Sequence, residues 1–220
     1  MKPPPKQARA AATRERLLDV AGALLAEVGV ERISTNLIAA RAGVSPPALY
    51  RYFADKYAVL AALGARLMVR QNAVLDAWIA ARAPGGIAAM ADHIGDLLAD
   101  TAAVTRSEPG AVWILRALHA SPALVPVRLE SHRAVTDRLA AACAPHLPGV
   151  DPAWLWRRLR IAVELGFAAD EMLYEEDRLA PDAALADVAA MLRVAMRDLA
   201  AGSDAHPHHR RHAVLPGGKG

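Results

Sequence analysis

The chain has 220 residues, 54% of them apolar and 22% charged, with one cysteine and a net charge of +3. That balance suits a globular protein with a sizeable core, and the lone Cys143 excludes an internal disulfide and fits a reducing compartment. No apolar run approaches the ~20 residues that span a bilayer, and the opening MKPPPKQARAAATRE carries charge without an apolar segment, so no membrane partner and no secretory leader are expected, and a cytoplasmic location is.

The charge is unevenly placed. Residues 1–66 hold 10 Lys/Arg against 5 Asp/Glu, whereas residues 67–205 hold 13 against 18. A basic head on an acidic body points to a polyanion at the head; chance asymmetry of a solvated surface is the bland alternative.

In chain order the pattern is helical almost throughout. Leu17, Leu18, Ala21, Leu24, Leu25 and Val28 mark one apolar face, with Thr13 as a possible cap and Gly29 as a stop. A short helix over 35–42 follows Ser34, Gly43 breaks it, and a third runs from Pro46 to Tyr52. Asp55 caps a long helix through Arg82, stopped by Pro84-Gly85-Gly86. Further helices are expected over 87–106, 111–119, 126–144, 153–175 and 182–201, and no alternating strand pattern intervenes. The expected fold is all-α with nine helices, divided into a head (1–56), a body (57–202) and a disordered tail (203–220).

Residues 35–53 have the spacing of a helix-turn-helix. Ile38, Ala39, Ala42, Val44, Leu49 and Phe53 supply its small core, Gly43 permits the tight turn, and the second helix of such a unit can enter a DNA major groove. Pro46 and Pro47 occupy first-turn positions, where a missing N–H costs nothing, and Ser45 is held extended as an N-cap requires. They leave Pro46, Pro47 and Ala48 only apolar contacts to offer bases.

The stretch TRERLLDVAGALLAEVGVERISTNLIAARAGVSPPALYRYFADKYAVLAAL, residues 13–63, resembles the DNA-binding head of the tetracycline-repressor (TetR) family of bacterial regulators. The resemblance rests on the preceding amphipathic helix, T-N-L-I-A-x-R-A-G-V-S and A-L-Y-x-Y-F-x-D-K; downstream it extends only to length, helix count and architecture. It implies a three-helix head joined by a long fourth helix to a body that dimerises and binds a small ligand. It also implies phosphate contacts at Thr35, Tyr50 and Lys56, with Thr35 also readable as a helix cap. Asn36 lies where some relatives read a base and is otherwise an exposed polar residue. Ser45, Pro46, Pro47, Ala48, Arg51 and Tyr52 complete the expected groove-facing set, Arg51 meeting either a guanine or phosphate. Lys2, Lys6, Arg9, Arg14 and Arg16 form a basic arm for a minor groove or for screening phosphates, Arg41 faces outward, and residues 1–8 are equally readable as a solubilising tail.

One head offers few base contacts, so a homodimer on palindromic double-stranded DNA is expected. Leu155, Leu159 and Val163 on one helix, and Leu185, Val188, Leu192, Met196 and Leu199 on the other, are the interface candidates; the alternative is that these stripes face the monomer core. A pocket for an unknown small-molecule effector is expected among helices five to eight, with Met90, His93, Trp113, His119, Phe167 and Asp170 as candidate lining. His206, His208, His209 and His212 lack a scaffold for metal, and catalytic motifs are missing, so no metal, cofactor or enzyme activity is expected. The leading expectation is a ligand-released repressor. Its rivals are an activator or dual regulator of the same fold, and a helical enzyme or carrier with a vestigial head.

Overall fold

The computed structural model describes residues 5–205, with side chains described for 7–200. Lys2, the side chain of Lys6, and His206, His208, His209 and His212 lie outside the described residues. The first helix, α1, is Pro5–Arg32, interrupted at Gly29, whose φ of 74° and ψ of 175° are not helical. Thr13 does not cap it: the hydroxyl lies inside the helix and donates to the Arg9 carbonyl at 2.9 Å. Next come α2 (Thr35–Ala42), α3 (Pro46–Tyr50) and α4 (Lys56–Arg82). The body continues with α5 (Gly86–Asp92), α6 (Ile94–Ser107), α7 (Ala111–Ala120), α8 (Val125–Cys143), α9 (Pro152–Met172) and α10 (Pro181–Ala205). The nine expected helices are thus present, the fifth being divided at His93, and α10 continues past Gly202 to Ala205.

Local chemistry accounts for the boundaries. Ser34 Oγ accepts from Leu37 N–H at 3.2 Å, Asp55 Oδ1 from Ala58 N–H at 2.8 Å, and Asp151 Oδ1 from Ala153 N–H at 3.0 Å, each satisfying a donor with no intrahelical partner. At His93 the backbone carbonyl accepts the Trp78 indole N–H at 2.8 Å, and φ of −108° with ψ of 14° turns the chain between α5 and α6.

Two cores result, and α4 contributes to both. The first joins Leu17, Leu18, Leu24 and Leu25 of α1 to Ile38, Leu49 and Phe53 of the head, to Leu60, Leu63 and Leu67 of α4, and to Ile114 and Leu118 of α7. The second holds Leu75 and Trp78 of α4 with Met90, Leu155, Leu159, Leu192 and Leu199. By length and composition the stretch Lys56–Asp92 is apolar enough to cross a bilayer, contrary to the reading of the sequence by runs alone. Its leucines and Trp78, however, are inside these two cores.

The turn between α6 and α7 seats the body on α1. Gly110 has φ of 75°, and a Cβ there would stand 2.8 Å from the Gly22 carbonyl oxygen; a Cβ is missing on Gly22 as well, where it would be 3.2 Å from Pro109 O. Beside them, Glu108 accepts from Arg66 Nη2 at 2.7 Å and from Arg70, while Arg66 Nη1 reaches Asp19 of α1 at 2.7 Å. Gly43 also has positive φ, 65°, but nothing lies within 4 Å of where its Cβ would stand. Gly110→Ala should therefore cost about 2–3 kcal/mol, strain plus a backbone clash, and Gly43→Ala about 1 kcal/mol, strain alone. Urea unfolding of both variants checks this, and equal losses would mean that the turn is not seated on α1.

Candidate nucleic-acid interface and ligand cavity

The head presents one face to solvent. Leu49 and Phe53 point inward, while Asn36, Ser45, Pro46, Pro47, Tyr50 and Arg51 are exposed around them. Ser45 has the extended backbone expected of an N-cap, with φ of −73° and ψ of 147°, but its hydroxyl makes no capping bond. The cap is backbone only, Ala48 N–H meeting the Ser45 carbonyl at 2.9 Å. Thr35 and Tyr50, fifteen positions apart, are hydrogen-bonded through their hydroxyls at 3.0 Å. That bond sets two hydroxyls side by side where α2 begins and α3 ends. Lys56 is half-buried at the start of α4, its ammonium 5.5 Å from the centre of the Tyr57 ring. Ala48 and Tyr52 are also half-buried, and Tyr52 packs on the head core. Arg41 does not stand free: it forms a two-pronged pair with Glu27 at 2.8 and 2.9 Å. Arg14 lies over the Phe53 ring at 5.5 Å, so it packs against the head instead of extending as an arm.

The body holds a partly open cavity of about 110 Å³ between α4, α6, α8, α9 and α10. Its wall is largely apolar, with Leu75, Leu98, Leu139, Val163, Leu192 and Met196 among the lining residues; Gln71, Asn72, Thr101 and Asp170 are its polar members. Phe167 and Asp170, expected at the pocket, do line it, and with Gln71 they also line a smaller void of about 20 Å³ toward α7 and α8. His119 borders only that smaller void, where Glu171 holds it at 3.1 Å. The other expected lining residues sit elsewhere. Met90 is fully buried in the second core, and His93 faces outward on Asp96 at 3.0 Å. Trp113 covers Gly29, its ring 3.3 Å from where a Cβ would be, so its bulk serves the joint between head and body. Burial pushes the Asp170 carboxyl up to about 6, with Arg106 opposing and Glu171 adding to the shift.

Residues 17–63 match the family model described as "Bacterial regulatory proteins, tetR family". Over the whole fold the chain is similar to a TetR-family transcriptional regulator from Streptomyces coelicolor, with a TM-score of 0.61 and 26% identity over 85% of this chain and 99% of that one. Residues 17–63 thus carry a TetR-type DNA-binding head, on a chain whose whole fold is similar to that of a TetR-family regulator. Two more distant structures share the regulator's fold: RolR, solved in complex with its ligand resorcinol (TM-score 0.53, 18% identity, 88% of this chain and 95% of that one), and the fatty acid degradation regulator FadR from Bacillus halodurans (TM-score 0.53, 16% identity, 92% and 98%). No curated protein matches the chain.

The regulator's last two helices carry apolar residues on two faces, and the residues expected at the interface lie on the inner one. Leu155, Leu159, Val163, Leu192, Met196 and Leu199 are buried in the second core, and Val188 packs against it half-buried; Leu159, Val163, Leu185, Leu192 and Met196 line the cavity. They are therefore not available as a surface within this protomer. The outer face holds Ile161 (54% exposed), Leu165 (58%), Ala168 and Met172 on α9, with Met191 (71%) and Val194 (69%) on α10. The spacing 161, 165, 168, 172 was readable as a second helical stripe.

Asp170 gives the cavity a measurable signature. In the unfolded chain its carboxyl ionises near 4 and in the fold at about 6. Folding therefore takes up a proton between these values, and the residue's contribution to stability falls as pH rises through that window, levelling off above about 6. Asp170→Asn should stabilise the regulator by on the order of 2 kcal/mol at pH 7.5 and by much less at pH 4. Thermal unfolding at both pH values tests this; a variant no more stable at pH 7.5 than at pH 4, relative to wild type, would contradict it.

Proposed function

We propose that the regulator is a cytoplasmic homodimeric repressor that holds a palindromic operator with two heads and releases it when a small molecule fills the body cavity. The observation that carries this reading is the head face on which Asn36, Ser45, Pro46, Pro47, Tyr50 and Arg51 are exposed above buried Leu49 and Phe53. Thr35, Tyr50 and Lys56 serve phosphate, and their sequence-independent contacts fix the register of α3 in the major groove. Asn36, Ser45, Arg51 and the accessible edge of Tyr52 read bases, while Pro46, Pro47 and Ala48 offer apolar contact to thymine methyl groups.

The outer stripe on α9 and α10 suits the second protomer. Large apolar side chains more than half exposed on adjacent helices mark an interaction surface, and two such helix pairs make a four-helix bundle. Two linked heads then reach half-sites about 34–36 Å apart or a multiple of that.

A continuous path joins cavity and head. Thr101 and Ala102 of α6 line the cavity, and buried Thr105 one turn on accepts from Gln71, another lining residue, at 2.9 Å. Glu108 and Gly110 follow, gripping Arg66 and Arg70 of α4 and resting on α1. A ligand that displaces α6 shifts the seat of the head, to the extent of its differential affinity for the two arrangements. RolR with bound resorcinol is a protein of this fold that takes a small ring, which supports the cavity as the effector site.

Selection of duplexes from a random pool, followed by footprinting, tests the DNA reading. Lys56→Ala should lower affinity for every sequence and reduce the salt slope by about 1, whereas Tyr50→Phe should cost about 1 kcal/mol with the slope unchanged. Recovery of no preferred duplex would remove the operator-binding role. Leu165→Asp with Val194→Asp should convert the dimer to monomers in sedimentation; an unaltered dimer would move the interface away from α9 and α10.

A further inference from the structure

Asp170 is the one carboxylate on the cavity wall among the described residues, and only Arg106, acting through space, offsets its charge. No described residue gives it a hydrogen bond or an ion pair, although it borders both voids. It also stands in the last turn of α9, which ends at Met172, where the helix carbonyls already make the potential negative. Glu171 adjoins it in sequence and adds negative charge. A partly buried anion in such a place is unfavourable unless a partner arrives.

The nearby basic groups are engaged or remote, and burial lowers the pKa of the His132 imidazole, which keeps it neutral at pH 7.5. Arg128, His132 and Arg160 all converge on Glu164, at 3.2, 3.0 and 2.7 Å. His119 is held by Glu171 at 3.1 Å, and Arg106, which acts on Asp170 through space, is exposed to water. Of the uncharged polar groups on the wall, Gln71 is already engaged. Gln71 uses its amide N–H on Thr105, and Thr105 uses its hydroxyl proton on the Thr101 carbonyl at 3.0 Å. The Asp170 carboxylate, with no partner at hydrogen-bonding distance, thus calls for a charged donor.

Size limits the rest of the molecule. About 110 Å³ is of the order of the ~150 Å³ that holds benzene in an apolar protein cavity, and the space is open to one side, so it takes a single ring with a short substituent or a short branched chain. Gly166 widens the wall: a Cβ there would meet Leu98 only at 3.8 Å, so larger side chains at this position would project into the space.

We propose that the effector is a compact apolar amine whose ammonium pairs with Asp170 and whose hydrocarbon lies among Leu98, Val163 and Leu192. This deepens the effector reading given above and rests on it for any consequence at DNA. Recognition of a charged donor by one buried carboxylate discriminates by charge, and the apolar wall excludes hydrated or larger amines by size and desolvation.

Calorimetry on the full chain at pH 7.5 with benzylamine, benzyl alcohol and benzoate separates the alternatives, since the three share a ring and differ at the head. Benzylamine should bind at least about tenfold more tightly than benzyl alcohol, a gap on the order of 1.4 kcal/mol, and benzoate more weakly still. Asp170→Asn should bring benzylamine and benzyl alcohol to within about twofold of each other, and Gly166→Leu should abolish binding of both by filling the space. The proposal is overturned by any of three results: benzyl alcohol or benzoate matching benzylamine, Asp170→Asn leaving the preference intact, or no binding of benzylamine. Fluorescence anisotropy with a duplex selected from a random pool is run alongside. Asp170-dependent amine binding that leaves DNA affinity unchanged would uphold the assignment of the cavity while refuting its role as the effector site.

Discussion

Glu108 is a carboxylate withdrawn from water and held between two guanidinium groups of α4, and the seating of the head on the body depends on that arrangement. A buried charge is tolerable only when matched, so the loop that carries it cannot leave α4 without exposing or orphaning it. Arg66 extends the match to Asp19, which brings α1 into the same set of contacts, and the missing side chains of Gly22 and Gly110 let the two backbones come close enough for it. Three segments distant in sequence are thereby placed by charge and by close approach together. Neither alone would suffice: the glycines provide proximity without direction, and the ion pairs provide direction without proximity.

Around that seam the polar groups of the body form an ordered sequence along α6. Gln71 of the cavity wall donates to buried Thr105 of α6, and Glu108 lies a turn further on. The two cores meet along α4, so this polar line runs beside the one helix that belongs to both. Apolar packing alone would bind the two halves without specifying their angle. Directional contacts between α4 and the end of α6 specify it.

The head was legible in the sequence because its local signals agree. Ser34, Gly43, the proline pair and Asp55 each mark a boundary by a separate physical rule, and buried Leu49 and Phe53 fit the spacing those boundaries impose. The fold class was legible for the same reason. The site in the body was less so. Periodicity shows that α9 has an apolar stripe but not which neighbour covers it, and this helix has two, one toward α10 and the cavity and one toward solvent. A cavity is space that side chains leave unfilled, which depends on how five helices meet and has no residue pattern of its own. Trp113 shows the difficulty from the other side: a large aromatic ring suggests a ligand wall, yet it fills the hollow above Gly29. The pairing of Arg41 is hidden in the sequence because its partner Glu27 lies on a different helix. Asp170 could be named because it closes the apolar run Leu165–Ala169 visible in the sequence, although its lack of a partner is not visible there.

The break at His93 has a mechanical consequence. Because Trp78 of α4 holds the His93 carbonyl, the near end of α6 is pinned to the same helix that its far end grips through Glu108. The fourteen residues between make a rod about 21 Å long. A tilt of about 5° about the pin would carry the Glu108 end by about 2 Å, as much as separates a sound hydrogen bond from none. The short interruption that divides one expected helix into two thus gives the body a lever whose fulcrum is fixed and whose tip touches the head.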